Sequence, residues 1–278
     1  MTASSPSFDS KAALLSRLQA QIDSVERRQA GLPDPAAADQ PVWQLGEQSV
    51  DSALREGGLA PAALHEVVPD AYPDGPAAQG FAVALTCCRL RADLAGPVVW
   101  AMGQTARRAW GRLSAAGLVS MGLPIDRALL VKAARDRDVL WALEETVREG
   151  VAALAIGEVD DADLTQTRRL QLAAEDSGTP LLLLRRRPAP SVARTRWRIA
   201  AAPSGPLAFD PQAPGAPRWS VRLEKAAGGP LKRWILEWDH DTHRFRLPRP
   251  MADRSTRPHL APRRAPGRQA GGRRAQNA

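Results

Sequence analysis

Cysteine is nearly absent from this chain of 278 residues: there are two, and they are adjacent, Cys87 and Cys88. Such a pair cannot make a disulfide framework, and no further Cys is present to complete a four-ligand zinc site. No apolar run approaches the roughly 20 residues that span a bilayer. The N-terminus lacks the basic region and apolar core of an export signal. The expectation is a cytoplasmic protein without membrane contact. Acidic residues are scarce in one place only. Between Pro250 and Ala278 seven arginines face a single acid, Asp253, so six of the net +8 charges sit there. The body is left close to neutral, and the basicity belongs mainly to the tail.

A further absence lies in the stretch from Leu64 to Leu90, around which the rest of the chain is arranged. It reads as a short strand, a loop and an apolar helix starting between Pro76 and Gln79, the layout in which α/β NTPases hold nucleotide phosphates. That chemistry needs glycines for close backbone approach, a Lys for the phosphate charge and a Ser or Thr for Mg²⁺. After Pro69 and Asp70 the glycines Gly75 and Gly80 are present. Phe81 and Ala82 stand where Lys and Ser or Thr should follow. The loop is degenerate, and no cofactor is expected in it.

What is present is a regular alternation of strands and helices. Leu14, Leu15, Leu18, Ile22 and Val25 recur at helical spacing over residues 10–30. A Gly/Pro-rich link from Gly31 to Pro41 follows, so this amphipathic helix docks on the body or on a partner. A short helix over Ser49–Arg55 and a Gly57-Gly58 break precede the strand Leu64–Val68. Cys87 and Cys88 fall on the apolar helix as core residues. Gly96–Met102 and Ala128–Lys132 read as strands. The helix after the second has Asp136 or Asp138 as its cap, Val139, Leu140, Leu143 and Val147 as its inner face, and Gly150 as its stop. Val151–Val159 is a buried strand ending near Glu158, which either holds Mg²⁺ through water or is a surface or loop carboxylate. Asp163 and Gln166 form a capping box for a helix that stops at Gly178, and Leu181–Arg185 gives one more strand. Four such alternations predict an α/β doubly wound, mostly parallel sheet.

After Pro190 the period changes to two. Trp219, Val221 and Leu223 alternate with Ser220, Arg222 and Glu224, and Trp234, Leu236 and Trp238 with Ile235, Glu237 and Asp239. This predicts an antiparallel hairpin at the edge of the sheet. Its interleaved Arg and Trp are either the two faces of that hairpin or a surface for stacking nucleic-acid bases. Asp239, His240, Asp241 and His243 read as a polar turn between strands, with metal binding as the alternative. The tail, with Arg263, Arg264, Arg268, Arg273 and Arg274, lacks apolar periodicity and is expected to be disordered until it meets DNA or an acidic protein surface. The chain thus divides into an N-terminal helix and linker (1–40), an α/β domain (41–249) and an Arg-rich tail (250–278).

In order and spacing these pieces resemble the ImuA family of bacterial SOS mutagenesis accessory proteins, itself similar to the recombinase RecA. The likeness to RecA-type domains rests on SVDSALREGGLAPAALHEVVPD, Ser49 to Asp70. GPVVWAM, LVKAARDRDVLWALEETVREG, the DLTQTRRLQLAAEDSG helix, PSVARTRWRIAAAPS and PRWSVRLEKAAGGP point to ImuA itself, over roughly residues 10–247. The resemblance implies a RecA-like fold and a role in DNA-damage-induced mutagenesis beside ImuB and an error-prone polymerase, with contact to ImuB, to RecA or to both. It does not carry catalytic residues over. Phe81 and Ala82 replace the phosphate-binding pair, Met102, Gly103 and Gln104 stand where a catalytic Glu would be, and Leu184 and Arg185 end the strand Leu181–Arg185 without a polar sensor. The expected function is a non-catalytic module for assembling a translesion synthesis complex, with Leu14, Leu18 and Ile22 and the tail arginines as partner or DNA contacts. The alternatives are a weak nucleotide-binding switch and a direct DNA-binding protein.

Overall fold

Leu64–Pro69 (β1) is buried at every position, and so is Leu181–Arg185 (β5) beside it, because both lie in the middle of a sheet covered on its two faces. The computed structural model describes residues 40–92, 94–206, 210, 213–226 and 230–248. The predicted N-terminal helix with Leu14, Leu18 and Ile22, and the tail with its arginines, lie outside these residues.

The other strands are Val98–Met102 (β2), Ala128–Lys132 (β3), Leu154–Val159 (β4), Thr195–Ala202 (β6), Arg218–Ala226 (β7), Arg233–Asp239 (β8) and Arg244–Arg246 (β9). They form one nine-stranded sheet in the order β3-β2-β4-β5-β1-β6-β7-β8-β9. Strands β3 through β6 of that order are parallel, and β7, β8 and β9 continue it antiparallel. The predicted α/β sheet with an antiparallel edge is therefore present. Strand β6 is the joint, parallel to β1 on one side and antiparallel to β7 on the other.

Helices flank the sheet on both faces. Gln48–Asp51 (α1), Gly75–Leu90 (α2), Gln104–Trp110 (α3) and Ala115–Ser120 (α4) lie on one side, and Asp136–Glu149 (α5) and Leu164–Ser177 (α6) on the other. Helix α2 is apolar almost all round because it is covered almost all round: the sheet is below it, and Trp43, Leu45 and Leu59 pack in the same core. Helix α5 buries the predicted stripe Val139, Leu140, Leu143 and Val147, and Gly150 ends it at φ +66°. Its N-cap is Arg135, not an aspartate. Asp136 instead accepts the backbone N–H of Asp160 at 2.7 Å, tying the helix start to the loop after β4. The capping box of α6 is as expected, with Asp163 Oδ1 accepting from Gln166 N at 2.7 Å and Gln166 answering at 2.8 Å.

The period-two pattern of the C-terminal strands points one face at α2. Phe81 lies 5.9 Å from Trp219 and 5.1 Å from Phe245 between ring centroids, and Trp197 joins at 6.1 Å. All four rings are at most 3% exposed. The tryptophans are thus core, which removes them as a stacking surface for nucleic acid. On the opposite face the arginines are paired: Arg198 with Glu224, Arg222 with Asp70, and both Arg218 and Arg246 with Glu237. The turn after β8 is the polar one predicted, with Asp239 accepting the N–H groups of Asp241 and Thr242. His243 stacks on Trp238, and His240 is bonded to the Ser120 carbonyl. Among the described residues no group of His, Cys, Asp and Glu is placed to hold a metal.

Candidate functional site

In an open α/β sheet, ligands are met at the carboxyl ends of the parallel strands. Here that place is built by Pro69 at the end of β1 and Asp70 after it, the start of α2, Glu158 near the end of β4, and Arg186 and Arg187 after β5. The loop after β1 is short and closed on itself. Residues Tyr72–Asp74 form one 3₁₀ turn, Asp74 N donates to Ala71 O at 3.0 Å, and Gly75 N donates to Tyr72 O. Asp74 also accepts from Ala71 N at 3.1 Å and from Ala201 N on β6 at 3.0 Å. The N–H groups of Ala71, Asp74 and Gly75 are thus used within the loop, and the next residue, Pro76, has none.

The sequence counts Gly75, Gly80, Phe81 and Ala82 as a degenerate phosphate loop running into a helix that starts between Pro76 and Gln79. In the structure helix α2 begins at Gly75, so all four lie within it. Gly80 is more than a turn inside it, and Phe81 and Ala82 have no exposed surface. The aromatic ring standing where a lysine would face phosphate is packed instead among Trp197, Trp219 and Phe245. Gly75 serves a different purpose. A Cβ there would lie 2.1 Å from Cδ1 of Trp110, so the glycine admits the indole. A carboxylate, Asp74, stands at the helix N-cap. The residues present therefore do not fit a triphosphate.

Glu158 is not the surface carboxylate considered from the sequence. It has no exposed area, and its carboxylate accepts from Trp100 Nε1 at 2.7 Å and from Gln79 Nε2 at 2.9 and 3.1 Å. These bonds tie β4 to β2 and to α2. Burial pushes its pKa up to about 7, against the opposing effect of the two donors. The carboxylate of a β4 end that could have held Mg²⁺ through water is taken up by a side-chain amide and an indole.

Beside the loop lies a cleft of about 300 Å³ lined by Asp70, Tyr72, Trp110, Arg186, Arg187 and Arg198. Its charges are largely answered: Arg186 pairs with Asp160 and Arg198 with Glu224 at 2.5 Å each, and Asp70 pairs with Arg222 at 2.9 Å. Deeper, Glu66 on β1 joins Arg185 on β5 at 2.9 Å and Arg196 on β6 at 2.8 Å.

No family model matches the chain. Two curated relatives do. The protein ImuA of Caulobacter vibrioides, from strain NA1000 / CB15N and from strain ATCC 19089 / CIP 103742 / CB 15, is in each case 38% identical over 229 residues. The match spans 77% of this chain and 91% of theirs. The chain belongs to the ImuA family. For a member of the ImuA family, sequence reasoning missed Gln79, Trp100 and Trp110 as the groups that fill this place. A usable signal was present, since a Trp inside an apolar strand and a carboxylate inside the next both need partners when buried.

Proposed function

We propose that this protein is a non-catalytic accessory factor of damage-induced mutagenesis that helps assemble or recruit a translesion DNA synthesis complex. The observation that carries the non-catalytic part is the closed phosphate position: loop amides bonded internally, Asp74 at the helix start, Trp110 against Gly75 and Phe81 in the core. Membership of the ImuA family supports the assembly role, with ImuB and an error-prone polymerase as partners and RecA as a protein it modulates. The helix carrying Leu14, Leu18 and Ile22 is proposed as a partner contact, joined to the body by its Pro-rich link. The tail arginines are proposed to bind an acidic protein surface of the complex, in keeping with the gain of order on binding that Gly- and Pro-spaced arginines permit.

The test is capture of ImuB, RecA and the polymerase by the full chain, by a Leu18→Asp variant and by paired variants Arg263→Ala/Arg264→Ala and Arg273→Ala/Arg274→Ala. The reading expects loss of a protein partner from at least one of them. Equal, modest, salt-sensitive losses of DNA binding with no change in any protein partner would instead favour direct DNA binding through the tail. Tight binding of a labelled ATP analogue would favour the nucleotide switch.

A further inference from the structure

The two edges of the sheet are finished differently. At one, β9 is three residues long, two of them Arg, and Phe245 N donates to Leu45 O so that another part of the chain covers it. At the other, β3 is five residues of sequence ALLVK with no Pro and no bulge. The bond from Ala133 N to Met102 O fixes which way its backbone faces: residues 129, 131 and 133 turn to β2. Ala128, Leu130 and Lys132 therefore turn their N–H and C=O groups outward, where the sheet has no further strand among the described residues. Leu129 is 54% exposed and Leu130 39%, on opposite faces of the strand. An uncovered apolar edge of this kind is a template for another strand.

We propose that β3 pairs antiparallel with β3 of a second copy, making a two-fold dimer with one sheet running through both subunits. The strand is complementary to itself. Pairing about Leu130 sets Leu130 against Leu130 of the second copy on one face and Leu129 against Val131 on the other. Charge follows the same symmetry. Asp126 lies before the strand, and Lys132 and Arg135 lie at and after its end, all exposed and without ion-pair partners among the described residues. Antiparallel pairing carries each acid toward the bases of the other copy. Arg127, the remaining cation at that end, is engaged by the carbonyls of Leu94 and Gly96. An isologous interface needs such self-complementarity.

Sedimentation equilibrium of the full chain should give a monomer-dimer equilibrium. Leu130→Lys, which places two ammonium groups opposite each other, should weaken it at least about tenfold, with a melting temperature unchanged at concentrations where the parent is monomeric. A Leu130→Cys variant should form a disulfide-linked dimer under mild oxidation, since directly opposed residues in this pattern have Cα atoms about 5.5 Å apart. Leu129→Cys should not, being diagonal to its own copy. Cys87 and Cys88 are buried and do not compete. A chain that stays monomeric at all concentrations overturns the proposal, whether the edge is free, covered by another part of the chain or reserved for a different protein. So does a dimer indifferent to Leu130→Lys, or crosslinking at Leu129→Cys as ready as at Leu130→Cys.

Discussion

Arg185 and Glu66, neither with any exposed side-chain surface, are paired at 2.9 Å between neighbouring strands β5 and β1. Glu66 also holds Arg196, and Arg185 also reaches Asp161 and the Ala162 carbonyl, so the carboxylate is the shared centre of a buried network. Glu66→Ala leaves a buried guanidinium short of its main counter-charge and should cost about 3 to 5 kcal/mol in urea unfolding. Replacing Glu66 and Arg185 together by Leu and Met should cost less than Glu66→Ala alone. A double variant that loses as much as Glu66→Ala, or more, would show that the stranded guanidinium is not what makes that loss large.

Two buried groups titrate in opposite senses. Glu158 has its pKa raised from 4.5 to about 7 in the fold, so between those values the native state holds the extra proton and stability falls as pH rises. His65 is lowered from 6.5 to about 4 by burial, so there the unfolded chain holds the extra proton and stability falls as pH drops. The slopes oppose each other between about pH 4.5 and 6.5 in the natural protein. Glu158→Gln removes one of them. The variant should gain stability relative to the parent as pH rises from 5 to 8, by on the order of 3 kcal/mol. Parallel stability curves for the two proteins would refute the assignment.

Gly75 and Trp110 should behave as one unit. Gly75→Ala forces the indole away and should cost about 1 to 3 kcal/mol by overpacking. With Trp110→Ala already in place the same change should cost far less, a coupling that a double-mutant cycle measures directly. Additive losses would mean that the close approach carries no energy.

Reconstruction of a phosphate loop should fail at the level of folding. Phe81 lies within a cluster of three aromatic rings, so Phe81→Lys with Ala82→Thr buries an ammonium group there and should destabilise by more than about 4 kcal/mol. Urea denaturation reads the loss. A stable double variant that binds an ATP analogue would show that α2 readily unwinds into a loop.

Local physics made much of the fold legible from the sequence alone. A short run such as Leu181–Leu184, bounded by Gly178 and Pro180, read as a strand covered on both faces, the Asp163 and Gln166 spacing determined a helix start, and the Trp219/Val221/Leu223 alternation determined which residues of the edge hairpin turn inward. The missing phosphate-binding side chains were equally plain. Only the tertiary structure decided what took their place. Gln79, Trp100 and Glu158 are separated by 21 residues or more along the chain, and nothing local says that an amide, an indole and a carboxylate meet. Asp136 looked like a helix cap because spacing cannot reveal that the loop after β4 offers its N–H groups instead. The inward face of the hairpin was a matter of period, but its burial under Phe81 depended on β6 joining β1, a long-range pairing whose register is set by packing across the whole sheet.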